Sequence, residues 1–194
     1  MPKYEFFAEL SKSAKISDIF QQISKAFKGE PHLLQVSAEE LEESFNQGLS
    51  ILVMSEGRAV GHARLLKLTE KNSPSGEWYE LGSTWVHKNY RNQQLNAQMY
   101  EHFLPRHEGK NILATTTNTA SLAVGRKLGF VLIPRKYLPE NVWRSSCTCS
   151  AKKTGSSDNL DCLLAYGEQQ QCEGPCWFRI TKFTAERLDY RPPR

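Results

Sequence analysis

The chain reads Val86-His-Lys-Asn-Tyr-Arg-Asn-Gln-Gln-Leu-Asn96 and then Asn118-Thr-Ala-Ser-Leu-Ala-Val-Gly-Arg-Lys-Leu-Gly-Phe130, on either side of the run Asn111 to Thr117. That run is apolar and β-branched, which predicts a strand. Each quoted segment follows a strand pattern with a polar turn and then a helical pattern. The sequence therefore predicts two successive strand-turn-helix units in this region.

Six elements are predicted before the first helix of that pair. They are a strand over Tyr4 to Leu10, helices over Ser17 to Phe27 and Ser37 to Gly48, and strands over Leu49 to Ser55, Ala59 to Leu66 and Trp78 to His87. Ser37 is predicted to cap its helix, with Glu40 closing a capping box. The turn residues Glu56-Gly57-Arg58 are typical of a hairpin. We therefore expect three antiparallel strands after two helices.

The second half of the chain completes the pattern. The predicted elements are a helix over Asn96 to Leu104 stopped by Pro105, a helix over Thr119 to Leu128 closed by Gly129, and strands over Phe130 to Ile133 and Cys176 to Phe183. Residues 147–174 are polar and rich in turn residues, and residues 191–194 are expected to be frayed. We predict one domain over residues 1–190, with a cysteine-containing insert at about residues 145–176 before the last strand.

Composition excludes several classes of protein. The chain has 194 residues, of which 39% are hydrophobic and 24% charged, with a formal net charge of +4. These values fit a globular domain, and the basic residues are spread along the chain, which does not indicate nucleic acid. Met1 to Phe20 has no apolar block typical of a secretory signal, and the longest central apolar run is Ile51 to Met54. We expect a cytoplasmic chain without a membrane segment; the sequence does not indicate its oligomeric state.

The two quoted segments, taken with the order of elements, resemble the GNAT (Gcn5-related N-acetyltransferase) superfamily. The first is similar to the family's cofactor loop, and the second to its next helix, which commonly begins at Asn and ends in Lys-Leu-Gly-Phe. The resemblance implies a mixed α+β fold with a central, mostly antiparallel mixed sheet and helices on both faces. It also implies an N-acyltransferase that moves an acetyl or other short acyl group from acyl-CoA to a primary amine, with acetyl-CoA as co-substrate.

The resemblance assigns the cofactor site to the first loop and to the start of the second helix. The implied cofactor-binding residues are Trp85, Val86, Arg91, Asn92, Gln93, Gln94, Leu95, Asn96, Asn118 and Ser121. The helix N-termini there would offer free N–H groups to the diphosphate of coenzyme A. From the residues alone, Arg91 is equally a solvated loop residue and Asn118 a helix cap.

The loop departs from the family pattern because Asn92, Gln94 and Asn96 stand where the family most often has glycine. Asn tolerates a positive φ better than most residues, whereas Gln does not. We therefore expect either a loop of different shape or amide side chains that themselves donate to phosphate.

Two residues are candidates for the general base that deprotonates the amine. Glu80 is the first, because related enzymes often carry a carboxylate on the central strand, and His87 is the second. The alternative interpretations are a Glu that faces solvent at a strand edge and a His that lines the loop. A bulge around Ser83 to Val86, for which Gly82 is suited, would free backbone N–H groups to polarise the thioester carbonyl.

The family's usual acid for the leaving thiolate is missing. The resemblance places a Tyr seven residues after Asn118, and the residue there is Gly125. Ser121, Tyr137 or water would have to serve, or the protein binds CoA without efficient turnover. The alternative function is therefore a non-catalytic CoA-binding regulator with the same fold.

All five cysteines lie in one region of the chain. Two close pairs, Cys147 with Cys149 and Cys172 with Cys176, are candidate ligands of a structural zinc ion, with Cys162 as the spare. Ordinary buried cysteines and redox-active thiols are the alternatives. A third functional hypothesis follows, namely a zinc-stapled interaction domain without a CoA site.

Overall fold

The computed structural model describes residues 3–9, 15–30, 33, 35–146, 161–162 and 176–192. The chain divides into two compact units. The first unit comprises residues 1–66 and 82–107, and the second comprises residues 67–81 and 108–194. The prediction of a single domain over residues 1–190 stays a prediction.

The described residues form strands and helices that are numbered here in chain order. The strands are β1 (Glu5–Phe7), β2 (Ser50–Ser55), β3 (Arg58–Thr69), β4 (Trp78–Val86), β5 (Asn111–Thr116), β6 (Val131–Leu132), β7 (Asp161–Cys162) and β8 (Cys176–Ile180). The α-helices are α1 (Lys15–Phe27), α2 (Ala38–Asn46), α3 (Leu95–Phe103), α4 (Thr119–Lys127), α5 (Glu140–Ser146) and α6 (Lys182–Arg187). Three 3-10 helices cover Lys88–Tyr90, Leu104–His107 and Arg135–Tyr137.

The first unit packs helices against both faces of its strands. β1, β2 and β3 are antiparallel neighbours, and the part of β4 in this unit follows β3. Trp85 of β4 is buried in a cluster with Phe20 and Phe27 of α1 and with residues of α2. The next residue back, Thr84, bonds to the Tyr100 hydroxyl of α3 at 2.7 Å. Adjacent strand residues point to opposite faces, so α3 covers the face opposite α1 and α2.

The second unit contains the parallel pair of the sheet. β4 runs parallel to β5, with Trp78 opposite Asn111, and β8 lies between β5 and β6, antiparallel to both. Ile180 of β8 packs in a cluster with Val142 of α5 and residues of α6. Its neighbour Arg179 reaches α4 on the other face. The expected mixed α+β fold, with a mixed sheet and helices on both faces, is thus confirmed.

Several predicted element boundaries need correction. The strand predicted over Cys176 to Phe183 ends at Ile180, because the Thr181 side chain accepts a hydrogen bond from the Thr184 N–H and caps α6. The helix α5 was not predicted, and the short strand β7 falls in a region predicted to be polar loop. Pro105 does follow the end of α3, but within a 3-10 turn. Within the described part of the chain, no helix is both long and apolar enough to cross a bilayer.

Candidate functional site

The strand β4 departs from extended geometry at Ser83, whose φ is 48°. This lies where the sequence predicts a bulge, but the left-handed residue is Ser83 and not Gly82. The Ser83 carbonyl accepts a hydrogen bond from His62 Nδ1 at 3.2 Å, and its hydroxyl accepts one from Arg64 Nε at 3.1 Å. Two side chains of β3 therefore hold this irregular strand residue, one at its carbonyl and one at its hydroxyl.

The loop between β4 and α3 follows a glycine-like path without glycine. Asn92 has φ 64° and Gln94 has φ 58°, and Gln94 is the residue from which α3 begins. Of the two alternatives expected from the sequence, a loop of different shape is therefore not what the structure shows at these positions. The first hydrogen bond inside the helix runs from the Gln98 N–H to the Gln94 carbonyl at 3.1 Å. The three N–H groups before it are the unpaired first-turn donors that suit an anion.

Two loop side chains that the sequence assigns to the cofactor make contacts within the protein. Arg91 donates to the Val86 carbonyl at 3.0 Å and forms an ion pair with Glu30. Gln93 accepts from the Tyr4 hydroxyl and donates to the Asn89 carbonyl at 3.4 Å. Both side chains therefore fix the position of the loop.

The remaining loop candidates differ in what they offer. Trp85 and Leu95 are buried side chains, so a ligand in this loop would meet their backbone atoms. Asn96, in the first turn of α3, has a buried Oδ1 atom that receives no hydrogen bond from the described residues. That oxygen can only accept a hydrogen bond, and so can the oxygens of an ionised diphosphate, so it is not the group that holds such a ligand. The unpaired N–H groups in the first turn of α3 are the groups that fit the diphosphate of coenzyme A.

Glu80 lies on the part of β4 that belongs to the second unit, beside β5. Its carboxylate accepts a hydrogen bond from the Thr115 hydroxyl at 2.6 Å. Burial raises the pKa of Glu80 from its ordinary 4.5 to about 7, although the Thr115 bond acts in the opposite direction. Glu80 is half-buried against Thr115 on a strand that is not at the edge of the sheet, so it is not a solvent-facing edge residue. Its pKa suits a group that takes up a proton near neutral pH.

His87 plays a structural part in the first unit. Its Nδ1 accepts a hydrogen bond from the Asn89 N–H at 3.3 Å and caps the 3-10 helix that follows. A neutral imidazole has one basic nitrogen, and here that nitrogen is engaged. The ring also contacts Trp85 and Tyr90 edge-on and lines a cavity of about 220 Å³ beside α1. The geometry therefore favours Glu80 over His87 as the base.

Asn118 caps the start of α4, which is one of the two roles that the sequence indicates for it. Asn118 Oδ1 accepts hydrogen bonds from the Ala120 N–H at 2.8 Å and the Ser121 N–H at 3.2 Å. The side-chain amide group of Asn118 stays on the exposed surface of the second unit. Capping does not conflict with a role for that amide toward a ligand.

Gly125 has a steric reason to be glycine. Arg179 of β8 is 4% exposed, and it donates to the Ser121 carbonyl at 2.5 Å and to the Ser121 hydroxyl at 3.0 Å. A Cβ atom on Gly125 would lie 2.3 Å from Arg179 Nη1, well below contact distance. The guanidinium therefore fills the space that a side chain at position 125 would need.

The predicted zinc site falls mostly outside the described residues. Cys147, Cys149 and Cys172 lie there, whereas Cys176 is half-buried in β8, with the backbone of Cys162 opposite it. Within the described ranges no group of three or more His, Cys, Asp or Glu side chains could hold a metal ion. The zinc site stays a prediction about residues 147–176.

Sequence reasoning missed three buried polar residues: His62, Arg64 and Arg179. The run Val60-Gly-His-Ala-Arg-Leu-Leu66 carried one signal, since two polar residues interrupt an otherwise apolar strand. Such residues are seldom fully buried unless they have partners. Their partners are remote in sequence, so the chain alone could not identify them.

Comparison with protein families gives one match that covers more than half of the chain. A model of the acetyltransferase (GNAT) family matches residues 16–130. A search of curated proteins found no match.

Solved structures with similar folds include several acetyltransferases. A putative acetyltransferase from Acinetobacter baylyi gives a TM-score of 0.58 at 17% identity, covering 93% of this chain and 92% of that one. Arabidopsis thaliana Naa50, in complex with a CoA bisubstrate analogue, gives 0.58 at 11% identity, covering 93% and 99%. N-acetylglutamate synthase from Neisseria gonorrhoeae, complexed with coenzyme A and N-acetyl-glutamate, gives 0.53 at 18% identity. The match covers 92% of this chain and 35% of that synthase. At these identities the similarity concerns the fold.

Proposed function

The chain belongs to the acetyltransferase (GNAT) family, and we propose that it transfers an acetyl or other short acyl group from acyl-CoA to a primary amine. The acceptor amine belongs to a small molecule, a peptide or a protein. Family membership supports acyl transfer from coenzyme A. The proposal adds the residues that carry out the transfer.

The diphosphate of coenzyme A binds the loop before α3 in this proposal. Support comes from the left-handed residues Asn92 and Gln94, which give the loop a glycine-like path, and from the unpaired N–H groups of the first helical turn. Arg91 and Gln93 hold the loop in place through their protein contacts. Backbone N–H groups after Ser83 polarise the thioester carbonyl, because an irregular strand residue frees donors that a regular ladder would use.

Glu80 is the general base, and its environment is the observation that carries the proposal. A primary ammonium must lose a proton before it can attack a thioester. A carboxyl whose pKa is about 7 is half ionised at neutral pH, so it both accepts a proton and releases it again. The hydroxyl of Thr115 fixes the carboxylate oxygen at 2.6 Å.

The leaving thiolate takes its proton from water in this proposal. Gly125 offers no side chain, and Arg179 fills the space beside it. Thiols are far more acidic than alcohols, the cysteine thiol having a pKa of about 8.5, so a thiolate is a competent leaving group without an enzymatic acid. The absence of a Tyr therefore lowers the rate without preventing the reaction.

The same observation favours an alternative function, a non-catalytic CoA-binding regulator. If Arg179 replaced the acid for structural reasons alone, the chain would keep the cofactor loop but lose efficient turnover. Glu80 favours the enzyme over the regulator, because binding of CoA alone does not require a carboxyl that can accept a proton near neutral pH.

The test is release of CoA from acetyl-CoA in the presence of a panel of primary amines. Chromatography should quantify the CoA, because the five cysteines of the chain would react with a thiol reagent. We expect Glu80→Gln to lower kcat by about 100-fold or more, and Glu77→Gln to serve as the matched control, since Glu77 makes a surface ion pair with Lys67. Calorimetric binding of CoA without any release by the unmodified protein would support the regulator instead.

A further inference from the structure

Ser83 adopts a conformation that its residue type does not favour. A left-handed φ costs an L-residue free energy that glycine does not incur, and Ser83 has φ 48° inside a strand. Such a residue persists where its surroundings hold it, and residues of this kind cluster at functional sites.

His62 holds the Ser83 carbonyl. Its side chain is fully buried, and burial lowers the pKa of His62 to about 4, with the charge of Arg64 adding to the effect and the bond to Ser83 opposing it. The imidazole is therefore neutral at pH 7 and carries one proton. A carbonyl can only accept, so that proton lies on Nδ1 and is donated to Ser83. The ring itself is fixed by an edge contact with Phe27.

Arg64 holds the Ser83 hydroxyl and is in turn anchored on α2. Its side chain is 3% exposed, and its Nη1 forms an ion pair with Glu40 at 2.9 Å and a longer contact with the Ser44 hydroxyl at 3.4 Å. Its Nε donates to the Ser83 hydroxyl. Because the buried guanidinium is paired with Glu40 through Nη1, the direction of its Nε–H group toward Ser83 is fixed.

We propose that His62 and Arg64 are positioning residues that lock Ser83 in its left-handed conformation and so fix the direction of the backbone N–H groups that follow it in β4. The two side chains act together as a clamp, one on the carbonyl and one on the hydroxyl of the same residue. The consequence for turnover rests on the proposed function, in which those N–H groups polarise the thioester carbonyl. The consequence for backbone conformation does not.

The test is a double-mutant cycle between His62→Phe and Ser83→Gly. Phenylalanine keeps a ring of similar shape but cannot donate to the carbonyl, and glycine adopts a left-handed φ without being held. We expect His62→Phe alone to lower kcat by about 100-fold with little change in the KM for acetyl-CoA. In the Ser83→Gly background the same substitution should lower kcat less than about threefold. An equal loss in both backgrounds would mean that His62 only packs the core, and would overturn the proposal.

Arg64→Met, alone and with Ser83→Gly, repeats the cycle for the second arm of the clamp. Ser50→Ala is the matched control, since Ser50 is a buried hydroxyl opposite Arg64 in the strand register. We expect that control to keep the kcat of the unmodified protein. Rescue of Arg64→Met by glycine supports the clamp, and absence of rescue contradicts it.

A second readout does not depend on catalysis. Crystal structures of the unmodified protein and of His62→Phe give φ at residue 83 directly. We expect Ser83 to leave the left-handed region in the variant, and an unchanged φ there would overturn the clamp. If the unmodified protein releases no CoA from acetyl-CoA with any amine, the proposed function fails while this conformational test still decides on the clamp.

Discussion

The loop before α3 and the helix α4 depart from the family pattern in opposite ways. In the loop, Asn92 and Gln94 carry side chains where the backbone conformation favours glycine. In α4, Gly125 stands where the family has a tyrosine, and the buried guanidinium of Arg179 takes up the space.

The difference shows which kind of departure a site tolerates. A backbone path is kept when less suitable residues adopt it at a modest cost in stability, so the loop can still present its N–H groups. A side-chain function is lost when the side chain is absent, unless another group replaces it. We therefore expect substitutions in α4 to lower the free energy of unfolding strongly and substitutions in the loop to change it little.

The largest expected effect is at Gly125. Gly125→Ala places a methyl group 2.3 Å from Arg179 Nη1, so either the guanidinium or the helix must move. The guanidinium is the end of a flexible side chain, but it is buried and bonded to Ser121, so moving it is costly. After the gain in helix propensity of about 1 kcal/mol, we expect the free energy of unfolding to fall by about 4 kcal/mol. Denaturant unfolding measures this.

A matched control for that substitution is Gly29→Ala, because a Cβ on Gly29 would meet the Ala26 carbonyl at an ordinary 3.5 Å. That variant should unfold like the unmodified protein. If Gly125→Ala were also neutral, Arg179 would not be the reason for glycine, and the contrast between α4 and the loop would disappear.

The second effect concerns one titrating group in each unit. Burial lowers the pKa of His62 from 6.5 to about 4, so the folded state loses stability as the pH falls from 6.5 to 4. Burial raises the pKa of Glu80 from 4.5 to about 7, so the folded state loses stability as the pH rises from 4.5 to 7. Each contribution amounts to about 3 kcal/mol, and the two oppose each other between pH 4.5 and 6.5.

Single variants should separate those opposing contributions. In Glu80→Gln the free energy of unfolding should rise with pH over that window, because the His62 contribution remains. In His62→Phe it should fall with pH, because the Glu80 contribution remains. Unfolding curves at four or five pH values measure both slopes, and parallel profiles in the two variants would contradict the assignment.

A smaller effect is expected at Thr115. The Thr115 hydroxyl lowers the pKa of Glu80 by stabilising the carboxylate. Thr115→Val should therefore raise that pKa further and move the rising limb of the profile of kcat/KM against pH to higher pH. A profile that stays in place would remove Glu80 from the role of base, whereas a loss of rate at every pH would indicate a packing defect.

The smallest effect is expected in the loop. Gln94→Gly should stabilise the fold by up to about 1 kcal/mol, since glycine adopts φ 58° without strain but loses more chain entropy on folding. Gln47→Gly is the control, because Gln47 has φ −82° and gains no relief of strain from glycine. That variant should therefore be less stable than the unmodified protein. Thermal unfolding measures both, and a destabilised Gln94→Gly variant would contradict the expectation that relief of strain at position 94 outweighs the entropy cost of glycine.

The order of elements was readable from the sequence because most of it depends on local pattern. The amphipathic spacing of Phe20, Ile23 and Phe27 predicts α1, and the capping role predicted for Ser37 is confirmed by its bond to the Glu40 N–H at 3.1 Å. The Glu40 carboxylate, expected to complete a capping box, accepts a hydrogen bond from Arg64. The local pattern thus predicted the Ser37 cap, whereas the partner of the Glu40 carboxylate is Arg64 on a strand distant in sequence.

Features that depend on distant partners could not be predicted. The contact of His62 with Ser83 joins two strands, and the one between Arg179 and Ser121 spans 58 residues. The positive φ of Gln94 runs against its own preference and is imposed by the elements it connects. Among the predicted site residues, Glu80 has a pKa that burial raises to about 7. The residue type alone does not give that pKa, because it depends on the surroundings of the side chain.

The position of β8 has a consequence for the order in which the chain can fold during synthesis. Among the described strands β8 comes last in sequence, yet it lies between β5 and β6 and pairs with both. A nascent chain that has passed Leu132 still lacks the strand against which β6 pairs. The second unit must therefore wait for residues 176–180 to leave the ribosome, with the edge of β5 unprotected in the meantime. A chain truncated before that point should be prone to aggregate, although it contains the whole of the segment that matches the family.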